Sequence, residues 1–176
     1  MVNTKLTSKD PTAEAMQTAE ATDEATPWAV VRDGWSQART HFVATVRPDG
    51  RPHTVPVGAA NLGENAFYFT SGQHTRKDRN LANNPTCVLS ASLEGYDLVV
   101  EGTVAQVTDP AVLQRLAAHY REGGWPATVN GDKLDAPFSA PTTGPAPYTV
   151  YEVTPTVAFA LGTTEDTVSK CTRYRF

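Results

Sequence analysis

The residue types best suited to chemistry lie in the segment Thr75–Asn80, where a threonine is followed by two cations. Thr75 is a favourable helix N-cap, and Arg76 and Lys77 then take the first helical positions. Cations there oppose the positive end of the helix dipole by a few tenths of a kcal/mol each, so the segment breaks a local rule. A phosphate explains it, because free N–H groups, a hydroxyl and cations converge at such a helix start. Asp78 can satisfy the dipole by itself, which leaves a solvated basic turn as the open alternative.

Two predicted strand ends near this segment offer further groups to a ligand. Within Pro52–Gly58, Pro56 removes a backbone donor, which is tolerated at a sheet edge or a bulge and frees neighbouring backbone groups. Plain protection of a sheet edge explains this proline equally well. Thr70 and Ser71 place small polar side chains at the end of another predicted strand, where they also suit a simple turn.

The overall composition excludes several classes of protein. The 176 residues carry a formal net charge of −4, which argues against the basic surface typical of nucleic-acid binding. Cys87 and Cys171 lie far apart and suit neither a disulfide framework nor a zinc site, so no metal is expected and a reducing cytoplasm fits. No stretch approaches the roughly 18 apolar residues of a membrane span. We therefore expect a soluble cytoplasmic protein without nucleic-acid or membrane partners.

The apolar pattern predicts one mainly β domain with a few helices. Residues 1–26 are poor in large apolar side chains and are expected to form a disordered tail before a domain that spans residues 27–176. Residues 123–147 are rich in proline and glycine, which predicts an irregular loop. Helices are predicted over Pro27–Ala38 and Pro110–Glu122. Antiparallel strands are predicted over His41–Arg47, Pro52–Gly58, Ala66–Ser71, Thr86–Leu93, Tyr96–Val107, Tyr148–Val153 and Thr156–Leu161, the last two separated by Pro155.

Four sequence stretches occur together in a specific order. They are ATVRPDGRPH at 44–53, TRKDRNLANNP at 75–85, VVEGT at 99–103 and TRYRF at 172–176. This combination resembles the pyridoxamine 5'-phosphate oxidase-like superfamily of FMN- and F420-binding split barrels, and in its short C-terminal ending the actinobacterial deazaflavin-dependent branch.

The resemblance implies an antiparallel split β-barrel that forms a homodimer, with coenzyme F420 or FMN in a groove between the subunits. The family's phosphate-binding motif matches Thr75, Arg76 and Lys77, in the segment that ends at Asn80. The other cofactor contacts that the resemblance implies are Val55, Pro56 and Val57 along the ring system, Thr70 and Ser71 at the polyol chain or ring edge, and Arg173 from the C-terminal segment.

The same resemblance implies an oxidoreductase that passes hydride from its reduced cofactor to a small unsaturated or conjugated substrate. Pyridoxamine phosphate oxidases usually end in an Arg-x-His-Arg-Leu-x-Pro pattern, which this chain lacks, so that activity is not expected. No catalytic side chain stands out. His53 and His74, near the proposed groove, are expected to have surface or packing roles, and a contact of either with substrate or phosphate is the open alternative. Two alternatives stay open: a non-catalytic protein that sequesters flavin, deazaflavin or haem, and a cofactor-free interaction domain.

Overall fold

A computed structural model describes residues 10–16, 24–63, 65–140 and 143–176 of the chain. Its strands in these ranges are β1 (Thr12–Ala15), β2 (His41–Val46), β3 (Pro52–Val57), β4 (Ala59–Asn61), β5 (Phe67–Gly72), β6 (Thr86–Ser92), β7 (Tyr96–Gln106), β8 (Thr128–Asn130), β9 (Lys133–Asp135), β10 (Tyr148–Gly162) and β11 (Thr172–Arg175). Its helices there are α1 (Trp28–Gly34), which a 3₁₀ turn continues over Trp35–Gln37, α2 (Arg76–Asn83) and α3 (Pro110–Glu122). The fold is mainly antiparallel β with short helices, as predicted. In the described ranges no helix has the length and apolarity to cross a membrane.

One antiparallel sheet contains the strands in the order β3-β2-β6-β7-β10, and β10 pairs further with both β5 and β11. The fifteen residues of β10 make this possible, since residues 148–153 pair with β5 and residues 157–160 pair with β11. β4 pairs with β5 and so lies at the opposite end of this order from β3, although only Gly58 separates the two along the chain. Because β3 and β5 also approach each other, the sheet curves back on itself. This arrangement is consistent with the predicted split barrel.

Two apolar clusters fill the interior. In the first, Trp28, Val31 and Trp35 are buried as the predicted stripe of the first helix, and the Trp35 ring lies 4.7 Å from the ring of Phe67 between centroids. The second lies under α3, whose buried side chains are Leu113, Leu116, Ala117 and Tyr120. Both predicted helices are confirmed, and Asp109 caps α3 through its carboxylate.

The β2–β3 hairpin decides which face each of its residues takes. Its turn at residues 48–51 has Gly50 at a φ of +81°, a value that glycine adopts without strain. The register pairs Thr45 with His53 and Phe42 with Pro56. Since side chains alternate along a strand, Thr45 is buried on the inner face and Phe42 is exposed on the outer face.

The N-terminal segment differs from the predicted disordered tail. β1 pairs along its four residues with β11, and Glu14 binds Arg173 with 2.6 Å between carboxylate and guanidinium. Thr26 is buried, and its carbonyl accepts a hydrogen bond from the Tyr174 hydroxyl. Backbone pairing to a distant strand, which composition does not reveal, orders these residues. Residues 1–9 and 17–23 lie outside the described residues.

Residues 123–147 contain a regular element, which corrects the prediction of an irregular loop. β8 and β9 form a hairpin with Gly131 in its turn at a φ of +62°. Leu134 of β9 is buried in the cluster under α3, and this contact anchors the hairpin. Three residues on each side are too few to give an alternating pattern in the sequence.

The last long strand passes through Pro155, although two separate strands were predicted. The register of β10 on β7 shifts between Pro155 and Val157, so the missing N–H of proline falls at a β-bulge. Gly102 pairs with Pro155, and a Cβ at Gly102 would lie 2.3 Å from the carbonyl oxygen of Thr154. The bulge and the glycine together accommodate the proline inside one strand.

Candidate functional site

The start of α2 has the cap that its sequence predicts. Thr75 is the N-cap residue, and its hydroxyl accepts a hydrogen bond from the N–H of Asp78 at 3.4 Å. The hydroxyl of Ser71, at the end of β5, lies 2.8 Å from the Thr75 hydroxyl. His74 precedes the cap at a φ of +61°, an uncommon value for a residue with a side chain. The connection between β5 and α2 is therefore a tight, hydrogen-bonded turn.

Asp78 is engaged by two donors near the helix start. One carboxylate oxygen accepts from the Tyr151 hydroxyl at 2.7 Å, and the other accepts from the N–H of His74 at 3.0 Å. Burial, followed by this hydrogen bond, raises the pKa of Tyr151, which therefore stays protonated as the donor. Asp78 offsets part of the helix dipole, as the solvated-turn alternative requires, but it forms no ion pair in the described part of the chain.

Lys77 is the unusual residue of this turn, because its side chain is only 3% exposed. Its ammonium makes no hydrogen bond or ion pair with the residues that the structure describes. Burial lowers the pKa of Lys77, and the nearby Asp78 only partly opposes this effect. Burying a cationic side chain without an ion pair is costly, which favours an anionic ligand over a solvated basic turn. The backbone N–H groups of Arg76 and Lys77, at the first two helical positions, also lack intrahelical acceptors.

Asn80 joins α2 to the β2–β3 hairpin. Its side-chain amide donates to the hydroxyl of Thr45 at 2.9 Å, and that hydroxyl donates to the carbonyl of His53 at 3.3 Å. Both Asn80 and Thr45 are buried. Asn80 therefore holds the helix start beside β3, and a direct contact of Asn80 with a ligand stays a prediction.

Three arginines line a cavity of about 560 Å³ beside the helix start, namely Arg47, Arg76 and Arg79. The Nε atom of Arg47 is buried and has no hydrogen-bond partner among the described residues. The carboxylate in the same lining, Asp49, binds Arg51 at 2.6 Å. The cavity therefore extends the cationic character of the helix start towards the β2–β3 turn. The sequence patterns did not single out Arg47, although the register of the predicted hairpin places it near His53.

The predicted ring-binding residues lie on an edge strand. β3 ends the sheet order, Val55 and Val57 pack against the core, and Pro56 is exposed. Beyond them lies a second cavity, of about 400 Å³, whose lining includes Pro56, Val57, His41, His119, Tyr120 and Thr143. His53 and Val57 are four residues apart, so the helix start and this second cavity are about 13 Å apart along β3.

Comparison with known proteins is consistent with this geometry. Residues 28–161 match the family described as pyridoxamine 5'-phosphate oxidase. The chain belongs to this family.

Individual proteins similar to this chain match it over a short stretch or at low sequence identity. A pyridoxine/pyridoxamine 5'-phosphate oxidase from Bacteroides thetaiotaomicron is 38% identical over 71 residues, which are 38% of this chain and 32% of that protein. The match thus spans about a third of the length of this curated relative. A putative 5-nitroimidazole antibiotic resistance protein from the same species has a TM-score of 0.56 at 15% identity and covers 94% of this chain and 90% of its own. A structure named F420 reductase has a TM-score of 0.47 at 28% identity, with 68% and 87% covered.

The start of α2 fits the phosphate that cofactors of the pyridoxamine 5'-phosphate oxidase family carry. The buried side chain of Lys77 forms no ion pair with the described residues, the N–H groups of Arg76 and Lys77 have no acceptor within the helix, and the Thr75 hydroxyl is fixed beside them. Ser71 is fully buried and bonds to Thr75, while Thr70 is nearly buried on the same strand. Ser71 therefore positions the cap, and contacts of both residues with a polyol chain or ring stay predictions.

Arg173 does not join this group within one chain. It pairs with Phe159 of β10, whereas Ser71 pairs with Thr149. Ten residues of β10 separate these positions, or about 33 Å of extended strand. Arg173 also forms an ion pair with Glu14.

Proposed function

We propose that this protein is an oxidoreductase that binds FMN or F420 by its phosphate at the start of α2 and reduces a small unsaturated or conjugated substrate. The observation that carries the proposal is the buried Lys77 side chain, without an ion pair among the described residues, at a capped helix start in a chain of this family. The bound cofactor supplies the hydride. The protein supplies binding, orientation and a shaped electrostatic environment.

Different residues around the helix start bind different parts of the cofactor. Lys77, the free N–H groups of the first helical turn and the Thr75 hydroxyl hold the phosphate, while Arg76 adds charge at the rim. Val55, Pro56 and Val57 form the wall for the ring system, since β3 leads from the helix start to the second cavity. That cavity then receives the substrate next to the ring.

A second copy of the chain completes the groove in this proposal. Cross-strand register places Phe42, Ser90, Val99, Phe159 and Arg173 in one row on the outer face of the sheet. Phe42 is 40% exposed there and shares the row with the apolar Val99 and Phe159, and an apolar row of this kind suits burial against a partner. Arg173 lies in the row that a second copy would cover, so it reaches a cofactor through the partner subunit.

A binding protein without turnover is the second candidate. In the second cavity the ring N–H of His41 donates to the carbonyl of Trp35 at 2.9 Å, and the hydroxyl of Tyr120 donates to the carbonyl of Gly58 at 3.0 Å. Burial raises the pKa of Tyr120, so its hydroxyl stays protonated. Because both protons are engaged by the backbone, neither group is a ready proton donor to a substrate. This observation favours sequestration of a flavin, deazaflavin or haem.

Titration and reoxidation distinguish the two candidates. Purified protein is titrated separately with FMN, F420 and haem, followed by absorbance and fluorescence, and the reduced complex is then mixed with a panel of quinones, enones and nitroaromatic compounds. Reoxidation faster than that of the free cofactor supports the oxidoreductase. Tight binding without acceleration supports sequestration. Failure to bind FMN and F420 contradicts the proposed phosphate site.

A further inference from the structure

The second cavity, at the end of β3, has a lining that combines apolar walls with an absence of negative charge. Pro56, Val57 and three alanines form much of its surface. Among the described residues, no aspartate or glutamate lines it. A planar apolar molecule therefore fits against these walls, whereas a cationic ligand would find no counter-charge there.

Two side chains in this lining have hydrogen-bond donors to offer a ligand, namely Arg39 and His119. Arg39 is exposed two residues after the 3₁₀ turn, and its guanidinium forms no hydrogen bond or ion pair with the residues that the structure describes. His119 is half-buried on α3, and its ring contacts the edge of Tyr120 at 5.9 Å between centroids. Neither ring nitrogen of His119 has a hydrogen-bond partner in the described ranges. The groups left free in this lining thus include a permanent cation, which suits an anionic ligand.

Arg39 is not neutralised from its other side either. It also lines a third cavity, of about 490 Å³, which lies on the outer face of the sheet and includes Phe42 and Asp97. Asp97 accepts a hydrogen bond from the Ser92 hydroxyl at 2.7 Å and forms no ion pair with the described residues. The guanidinium therefore lies between the second cavity and the outer row. A second copy that covers this row would reduce its contact with water and strengthen its attraction for an anion.

We propose that the second cavity binds a conjugated carboxylate, with Arg39 as the residue that binds the carboxylate group and His119 as a second donor to it. The inference rests on the proposed function and narrows its substrate to the class of α,β-unsaturated carboxylates. An arginine can donate two parallel N–H bonds to a carboxylate, whereas a neutral amide offers it only one oxygen. The conjugated part of the substrate then lies next to the cofactor's ring system, beside Pro56 and Val57.

The reduction leaves the carboxylate group in place. The β-carbon of the substrate gains a hydride from the reduced cofactor, the α-carbon gains a proton from water, and the double bond becomes a single bond. The cofactor is thereby oxidised by two electrons. Negative charge spreads onto the carboxylate oxygens as the hydride arrives, and a bound guanidinium stabilises that charge. Loss of Arg39 should therefore lower the rate of reduction as well as the affinity.

Equilibrium binding of trans-cinnamate tests the carboxylate site without turnover. Calorimetric titration of the full-length protein, with and without saturating FMN or F420, compares cinnamate with cinnamamide, which has the same shape and no charge. We expect wild-type protein to bind cinnamate at least about tenfold more tightly than cinnamamide. Arg39→Met should abolish this preference and leave the affinity for cinnamamide unchanged. Arg115→Met is the charge-matched control, since Arg115 is exposed on α3 and does not line the cavity.

Two variants of His119 test the second donor. His119→Phe removes the ring N–H and should weaken cinnamate binding about threefold, whereas His119→Gln keeps a donor and should stay within about twofold of wild type. Cinnamate binding that is unchanged in both variants would remove His119 from the proposal.

The inference and the proposed function fail on different results. Wild-type protein without a preference for cinnamate, or an Arg39→Met protein that keeps the preference, would overturn the carboxylate site. Cofactor-loaded protein that reduces cinnamamide as fast as cinnamate would likewise remove the inference alone. Protein that binds neither FMN nor F420 removes the proposed function, and a cinnamate preference that depends on Arg39 would then still support the carboxylate site.

Discussion

Lys77 and Arg76 follow each other in the sequence, yet the structure buries the first and exposes the second. The sequence predicted both cations at a helix start, because the cap residue and the helix period are local features. Which cation is buried depends on how α2 packs against β5, which directly precedes it, and against β2, which is distant along the chain. The sequence therefore located the candidate site but not the buried ammonium that distinguishes it from a solvated turn.

The sequence did not predict that Arg47 and Tyr151 lie at the candidate site, for the same reason. Tyr151 reaches Asp78 from 73 residues away, which no local pattern reveals. Arg47 is recognisable only after the hairpin register is known. Local rules thus predicted the candidate residues at the helix start, and missed the residues that reach it through packing.

His41 provides a pH test at the level of one residue. Burial lowers the pKa of His41, and its hydrogen bond to Trp35 only partly compensates. The unfolded chain then binds a proton more readily than the folded protein below about pH 6.5, so stability is present above that pH and is lost as the pH falls. We expect the free energy of unfolding measured in urea to fall between pH 7.5 and pH 5.5, by at most about 1.4 kcal/mol per pH unit from this group. His41→Gln keeps a donor for Trp35 and should show a smaller fall; identical pH profiles would contradict the assignment.

At the scale of elements, α2 depends on its cap for both stability and binding. Thr75→Ala removes the acceptor of the Asp78 N–H and the hydroxyl beside Ser71, and should cost about 1 kcal/mol in urea unfolding. The same variant should bind the phosphorylated cofactor at least about tenfold more weakly, because a charge-assisted hydrogen bond is lost. Thr75→Ser keeps the hydroxyl and should stay near wild type in both measurements. A serine variant as impaired as the alanine variant would show that the methyl group, not the cap, matters.

The β1–β11 pair shows what composition cannot predict. Residues poor in apolar groups suggested a free tail, yet β1 covers the edge of β11 through backbone hydrogen bonds. A chain that starts at Gln17 should therefore have a free energy of unfolding in urea about 1–3 kcal/mol lower than one that starts at Asp10, since the two differ by β1. Equal stabilities in urea would mean that this pairing contributes nothing and that the tail prediction was adequate.

At the scale of the whole molecule, the barrel strands were largely predictable, because alternation and turn residues are strong local signals. The extent of the sheet was not, since β10 pairs with four other strands, namely β5, β7, β9 and β11, and passes through a proline. The outer row that contains Phe42 and Arg173 also emerges only from the full register.

That outer row makes the oligomeric state a test of the shared groove. We expect a homodimer in sedimentation velocity, and Phe42→Asp should give a monomer with weakened cofactor binding, because a charge would enter the apolar interface. Val30→Asp is the matched control, since Val30 is 54% exposed on α1, outside the row. A wild-type monomer that binds cofactor tightly would refute the shared site.

The most direct test of the central claim is the affinity of Lys77→Met for FMN and riboflavin, measured by fluorescence titration. Riboflavin has the ring and polyol chain but no phosphate, and for F420 the equivalent control is a fragment without the phosphodiester. Loss of the ammonium should weaken FMN binding roughly 10- to 150-fold and leave riboflavin binding unchanged, while Lys170→Met, a charge-matched control, should change neither. The unliganded variant should be at least as stable as wild type, because an enclosed, unpaired charge has been removed. A folded Lys77→Met protein that binds FMN or F420 as tightly as wild type would contradict the phosphate site.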